Sequence, residues 1–192
     1  MSLLMSFLLL LAPVKVEQGK FNITKDGKRI GTEEFAVTMN GTHYVIDGKA
    51  TIGPVTITSR LEVNEKLIPV SYEVSNIEGK IKVTVAMPIS ELQTIVGKET
   101  SSADFRFPDG GVILDNNLFH HYLILLYRAH GGQTSLPVFV PQDMSIGSAT
   151  VRTTGPRTYD LEIGDVKMQA TTDADGRMLK LTVPAANVVI ER

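Results

Sequence analysis

The chain has 192 residues, enough for one sizeable domain, and its 43% hydrophobic content excludes a disordered or collagen-like protein. Lys and Arg number 19 against 21 Asp and Glu, so the net charge of -2 lacks the basic excess typical of nucleic-acid binding. The absence of cysteine excludes disulfides, thiolate metal sites, cysteine nucleophiles and lipid attachment to cysteine.

The chain begins with an apolar segment, MSLLMSFLLLLA, that contains no charged side chain. It is shorter than the about 20 residues needed to span a bilayer, and it matches the apolar region of a secretory signal. A buried first strand or helix is the alternative. We therefore predict a signal-like segment over residues 1–14, which could also contact a membrane, followed by a single exported domain over residues 15–192.

Most of the remaining chain alternates between apolar and polar residues, as in VTITSRLEV from Val55 and IKVTV from Ile81. This period indicates antiparallel strands with one dry and one wet face. Dipeptides that favour tight turns recur at intervals of roughly ten residues, which predicts a meander of about 11 strands. The predicted turns are Asp26-Gly27, Asn40-Gly41, Asp47-Gly48, Glu78-Gly79 and Asp175-Gly176.

One segment, DNNLFHHYLILLYRAH over residues 115–130, has helical periodicity instead. It predicts a core helix over residues 116–130, with Asp115, Asn116 or Asn117 as its N-cap and Gly131 as its C-cap. At 100° per residue one broad face is apolar, whereas His120, His121 and Arg128 fall opposite. The apolar face comprises Leu118, Phe119, Tyr122, Leu123, Leu125, Leu126 and Ala129. A second short helix is predicted at Pro88–Val96, where Pro and Glu stand early.

The predicted sheet is much larger than the predicted helix. About 11 strands would span about 53 Å if flat, whereas a helix of about 14 residues is about 21 Å long. The sheet must therefore curl, close or split into two layers. We predict a mainly β fold, a strongly curved antiparallel half-barrel wrapped around one apolar helix, with an apolar hollow beside the helix. The candidate lining residues of this hollow are Tyr72, Val83, Phe119, Tyr122, Leu123 and Leu126.

The order of features resembles the LolA/LolB-like superfamily of bacterial envelope proteins. An N-terminal apolar segment is followed by hairpin strands such as GKFNITKDGKRIGTEEFAV, then a helix after the middle, then a hairpin VKMQATTDADGRMLKLTV. The last hairpin is also similar to that of uncharacterised envelope proteins with acidic-x-acidic-Gly-Arg-apolar strands, here Asp173 to Met178. The resemblance implies an unclosed half-barrel that holds acyl chains, a role in lipoprotein transport and a periplasmic or envelope location. Without the LolB lipid-attachment cysteine, the chain would be a soluble or signal-anchored relative.

No residue pattern predicts a catalytic site, a metal site or a cofactor. His120 and His121 diverge by about 100° on a helix, so they are poorly placed to chelate one ion, and His130 lies beyond them at the helix end. Glu33 and Glu34 point to opposite strand faces and cannot act as a carboxylate pair. The GxSxG nucleophile elbow and the phosphate-binding loop are both absent.

Three hypotheses follow for the function. The first is an exported, non-enzymatic protein that binds an apolar small molecule or lipid in the concavity of its sheet. The second is a structural or interaction module with a packed core and an envelope protein as partner. The third is a hydrolase that uses residues between Asp109 and His130.

Overall fold

The structure, a computed structural model, describes residues 14–129 and 133–192, and its strands join one 15-stranded sheet. The predicted N-terminal segment lies outside the described residues except for Val14, where the first strand begins. The strands are β1 Val14–Lys25, β2 Lys28–Asn40, β3 His43–Ile52, β4 Val55–Val63, β5 Pro69–Ser75, β6 Lys80–Thr84, β7 Ser90–Val96, β8 Glu99–Phe105, β9 Val112–Ile113, β10 Gln133–Val140, β11 Ser145–Gly155, β12 Thr158–Ile163, β13 Val166–Thr172, β14 Met178–Val183 and β15 Val188–Glu191.

The sheet is a meander in two halves, with strand order β8 to β1 followed by β15 to β9. Consecutive strands pair antiparallel within each half, except that β9 and β10 pair parallel. Between the halves, β1 pairs antiparallel with β15. The sheet is strongly curved and not closed, which confirms the mainly β fold with one helix.

The helix fills the concave side of this sheet. A 3-10 turn at Phe119–His121 leads into α1, Tyr122–Arg128, and the side chains from Leu123 to Leu126 are buried. Because this helix is buried on nearly all sides, it joins a continuous core with Phe21, Leu61 and other inward-facing strand residues.

Several local predictions need correction. The helix begins at Phe119 rather than residue 116, because Asp115 instead forms a turn in which its carboxylate accepts the Asn117 N–H at 3.0 Å. The predicted Gly131 cap and His130 lie outside the described residues. Pro88–Val96 is not a helix, since Ser90–Val96 forms β7 between β6 and β8. Its last residues, Thr-Ile-Val, are β-branched and favour a strand.

The turn prediction fails at one position that matters for the site. Asp47-Gly48 lies inside β3, whereas the other predicted turns connect strands as expected. The sheet also contains more strands than the alternation predicted, in part because the polar edge strand β8 and the two-residue β9 carry no clear alternation and β7 was predicted as a helix.

Candidate functional site

A carboxylate from the sheet holds the beginning of the helix. Glu33 lies on β2 and its side chain has no exposed surface. Its Oε2 accepts the backbone N–H of Phe119 at 2.8 Å, and its Oε1 accepts that of His120 at 2.6 Å. These N–H groups have no partner within the helix, and the N-terminal end of a helix favours negative charge. No side chain from the segment before the helix caps these N–H groups, and Glu33 caps them from a distant strand instead.

The ring of His120 completes this arrangement. Its Nδ1–H donates to Glu33 Oε1 at 2.7 Å, and its Nε2 lies 3.3 Å from the Ser59 hydroxyl. The ring stacks on Phe35, with 6.2 Å between centroids, and covers Gly48 of β3. A Cβ at Gly48 would stand 2.1 Å from His120 Cε1, so this strand position accepts the imidazole only because it is glycine.

A second group of polar side chains surrounds Asp115, which is 2% exposed. Asp115 Oδ2 accepts the Tyr72 hydroxyl at 2.6 Å and also the side-chain amide of Gln142. The Asp115 backbone N–H donates to His121 Nδ1 at 3.2 Å. The His121 proton therefore lies on Nε2, which has no hydrogen-bond partner among the described residues.

These side chains, all buried except that of Gln142, form one polar group at the start of the helix, which we call the helix-start cluster. It consists of Glu33, Ser59, Tyr72, Asp115, His120, His121 and Gln142. The helical pattern placed His120 and His121 opposite the apolar face of the helix, yet neither has any exposed surface. One available signal was that Glu33 shares a strand face with Phe35 and Val37, so alternation placed an acidic residue on the dry side.

Burial fixes the protonation of two members of the cluster. Desolvation, and secondarily the neighbouring His120, lower the pKa of His121 well below its ordinary value, which keeps the ring neutral. Desolvation and the Asp115 carboxylate raise the pKa of Tyr72 well above its ordinary value, so Tyr72 remains a hydrogen-bond donor.

We expect His121 to make the fold sensitive to acid. In the unfolded chain this histidine takes up a proton as the pH is lowered through about 6.5, whereas in the folded protein it stays neutral to a lower pH. The free energy of unfolding therefore decreases as the pH is lowered below about 6.5. His121→Asn, whose amide oxygen can still accept the Asp115 N–H, should lose less unfolding free energy between about pH 7.5 and about pH 5. Urea unfolding at both pH values measures the difference. Equal losses in the variant and the parent would contradict this assignment.

Hydrogen-bond distances connect Glu33 to His120 and His120 to Ser59, which is the carboxylate–histidine–hydroxyl arrangement of serine acyl-transfer enzymes. Since His120 Nδ1 donates to Glu33, a neutral ring leaves Nε2 free to accept the Ser59 proton. Ser59, however, is 7% exposed and His120 is fully buried. Among four cavities of about 260 to about 410 Å³ in the described residues, none is lined by Ser59 or His120, so none of them brings a substrate to the serine.

An apolar cavity of about 260 Å³ lies beside the helix, between α1 and the inner face of β1 to β3. We call it the helix-side cavity. Its lining residues are Val16, Glu17, Val37, Tyr44, Ile46, Glu65, Leu67, Ile124 and Tyr127. Glu17, one of its two acidic residues, accepts the Tyr127 hydroxyl and pairs with Arg192 at 2.7 Å, so its carboxylate is already engaged.

The residues predicted to line the hollow lie close by but have another role in this conformation. Tyr72, Val83, Leu123 and Leu126 are buried in the core, and Phe119 and Tyr122 are half-buried against it. None of them lines the four cavities, and Tyr72 also belongs to the helix-start cluster. The helix residues that line the helix-side cavity are Ile124 and Tyr127.

Within residues 14–129 and 133–192, no group of three or more His, Asp or Glu side chains is arranged to hold a metal ion. The same part of the chain contains no helix that is both long and apolar enough to cross a membrane. Comparison with protein-family models, curated proteins and solved structures yielded no significant match, so the function must be argued from the site itself.

Proposed function

We propose that the protein binds a single apolar chain, such as the alkyl chain of a fatty acid, in the helix-side cavity. One observation carries the proposal: a cavity of about 260 Å³ beside the helix with a mostly apolar lining drawn from sheet and helix. Burial of each CH₂ group there would contribute about 0.8 kcal/mol. Apolar enclosure of this kind is the usual basis of small-molecule binding.

The size of the cavity limits what it takes. Pockets for drug-sized ligands measure about 300–1,000 Å³, and this cavity falls just below that range. One short chain, or part of a longer one, is therefore the expected occupant. A lipid with several acyl chains would have to leave most of its apolar surface outside.

The surroundings of the cavity suit a protein that collects such chains from an apolar surface. Val16 lines the cavity and is exposed, and so are Val14 and Met39, which pair across β1 and β2. This exposed apolar strip begins at Val14, the last residue of the signal-like segment predicted over residues 1–14. We therefore propose an exported, LolA/LolB-like envelope protein that contacts a membrane or an envelope partner near this strip.

A binding experiment with matched variants tests the proposal. Native mass spectrometry of the purified protein should show a co-purifying small molecule, and a fluorescent single-chain fatty acid should bind saturably. Val37→Phe should fill the helix-side cavity and weaken fatty-acid binding at least about tenfold. Val74→Phe, an equal enlargement at an equally buried strand position outside this cavity, should leave binding unchanged.

A different result of this experiment would favour a structural or interaction module. If no small molecule co-purifies, no fatty acid binds and a single protein partner is recovered in stoichiometric amount, the protein is a structural or interaction module instead.

The hydrolase is a second candidate, because of the Glu33–His120–Ser59 order. A serine-directed alkyl fluorophosphonate should not label the protein, since Ser59 lies beneath the helix away from the cavities. Mass spectrometry of the treated protein provides the measurement, with Ser59→Ala as its control. Labelling of the parent that disappears in Ser59→Ala would show that Ser59 is accessible and reactive, and would favour the hydrolase.

A further inference from the structure

A second cavity, of about 300 Å³, lies on the other side of the helix start and shares no lining residue with the helix-side cavity. We call it the Asp115 cavity. Its apolar walls come from β4 to β7, and its polar lining includes the buried Asp115. The full lining is Ile57, Val74, Ser75, Asn76, Glu78, Gly79, Lys80, Ile81, Thr94, Val96, Asp115, Asn117 and Gln142.

The hydrogen bonds of the Asp115 carboxylate come from neutral groups, namely the Tyr72 hydroxyl, the Gln142 amide and the Asn117 backbone N–H. Within residues 14–129 and 133–192, no ion pair within 4.0 Å joins this carboxylate to a cationic side chain. Buried charges are ordinarily paired, because removal from water is costly. Asp115 therefore lacks the cation that its burial calls for.

Neighbouring charges do not supply that cation. Lys80 lines the cavity, but its Nζ pairs with Glu73 at 2.6 Å. His121 receives the Asp115 N–H on Nδ1, so this ring nitrogen carries no proton. The exposed Glu78, at the lining of the same cavity, adds further negative charge. The cavity is thus electrostatically suited to a positively charged guest.

The remaining acceptor capacity of Asp115 selects the kind of cation. Oδ2 already accepts two donors, from Tyr72 and Gln142, whereas Oδ1 accepts only the Asn117 N–H. A guanidinium fork needs both carboxylate oxygens for bidentate pairing. An ammonium group is a compact charge with three N–H donors, and it can pair with a carboxylate through a single oxygen.

We propose that the Asp115 cavity binds a small primary alkylammonium ion, with its ammonium group on Asp115 Oδ1 and its alkyl chain against Ile57, Val74 and Ile81. The apolar walls contact the carbon chain, and the buried carboxylate supplies the counter-charge. This site is independent of the apolar chain proposed for the helix-side cavity, since the two cavities have separate linings.

The test compares three probes of equal chain length, n-butylammonium, n-butanol and butyrate, by NMR titration of the methyl resonances. Butylammonium should bind saturably with a dissociation constant no weaker than about 10 mM, and shift the Val74 and Ile81 resonances. Butanol and butyrate should bind at least about tenfold more weakly. No saturable binding of butylammonium, or equal binding of butanol, would overturn the proposal.

Matched variants locate the binding. Asp115→Asn keeps an acceptor for Tyr72 but removes the charge, and it should weaken butylammonium binding at least about tenfold. If that variant does not fold, Val74→Phe, which narrows the cavity without touching Asp115, should have the same effect. Val37→Phe, in the other cavity, should change nothing. Loss of butylammonium binding in Val37→Phe, or its retention in Val74→Phe, would contradict the assignment.

Discussion

Replacement of Glu33 by glutamine is expected to lower the free energy of unfolding by about 1–3 kcal/mol or more, the usual cost of leaving a buried hydrogen-bond donor without its partner. The Glu33 carboxylate receives two backbone N–H groups and the His120 ring without any exposed surface. Glutamine offers one oxygen in place of two, and its NH₂ group would face a donor. At least one buried N–H would then lose its partner.

The neighbouring residue provides the matched control. Glu34 points to the opposite face, is exposed and pairs with Lys20 at the surface. Glu34→Gln should therefore leave the midpoint of urea unfolding almost unchanged, because exposed ion pairs contribute little. Urea titrations followed by far-ultraviolet circular dichroism measure both variants. A Glu33→Gln protein as stable as Glu34→Gln would show that the helix-start cluster does not hold the helix on the sheet.

Gly48→Ala is expected to destabilise the protein by about 1–3 kcal/mol or more, although alanine normally suits a strand better than glycine. The added methyl group would stand 2.1 Å from Cε1 and 2.7 Å from both nitrogens of the His120 ring. That ring is completely buried and bonded to Glu33, so it cannot move without losing this contact. The penalty therefore includes part of the Glu33 network.

Two further variants make the result specific. Gly147 of β11 is exposed and has nothing within 4 Å of an added Cβ, so Gly147→Ala should be neutral or slightly stabilising. In a His120→Ala background the collision is absent, and Gly48→Ala should lose most of its effect. The same Gly48→Ala penalty with and without the His120 ring would rule out this explanation.

Alternation of apolar residues was sufficient to predict an antiparallel meander, because each strand has to place one face in the core, and its curvature followed from the size of the sheet relative to the helix. Prediction from local sequence failed where a residue is required by a contact with a distant part of the chain. Asp47-Gly48 has the composition of a turn, yet the glycine is needed opposite a ring that lies far along the chain. Leu179 alternates with Leu181 and Val183 in the sequence, yet it is exposed, because a register shift between β13 and β14 turns Met178 inward in its place.

The site was less predictable than the fold. A buried carboxylate that caps a helix from 86 residues away leaves no motif in the sequence, because the contact exists only after the sheet has curved. The histidines lay opposite the most apolar face of the helix, which ordinarily means solvent. Here the sheet curves around that side as well, so the polar face meets Glu33 and Ser59 instead of water.

The central claim, that an apolar chain occupies the helix-side cavity, is tested most directly by paramagnetic relaxation. A fatty acid that carries a nitroxide on its chain should broaden the methyl resonances of Ile46 and Ile124, which line the cavity, and leave that of Leu161, in the other half of the sheet, sharp. Uniform broadening, broadening confined to the other half of the sheet, or none at saturating fatty acid would contradict the account.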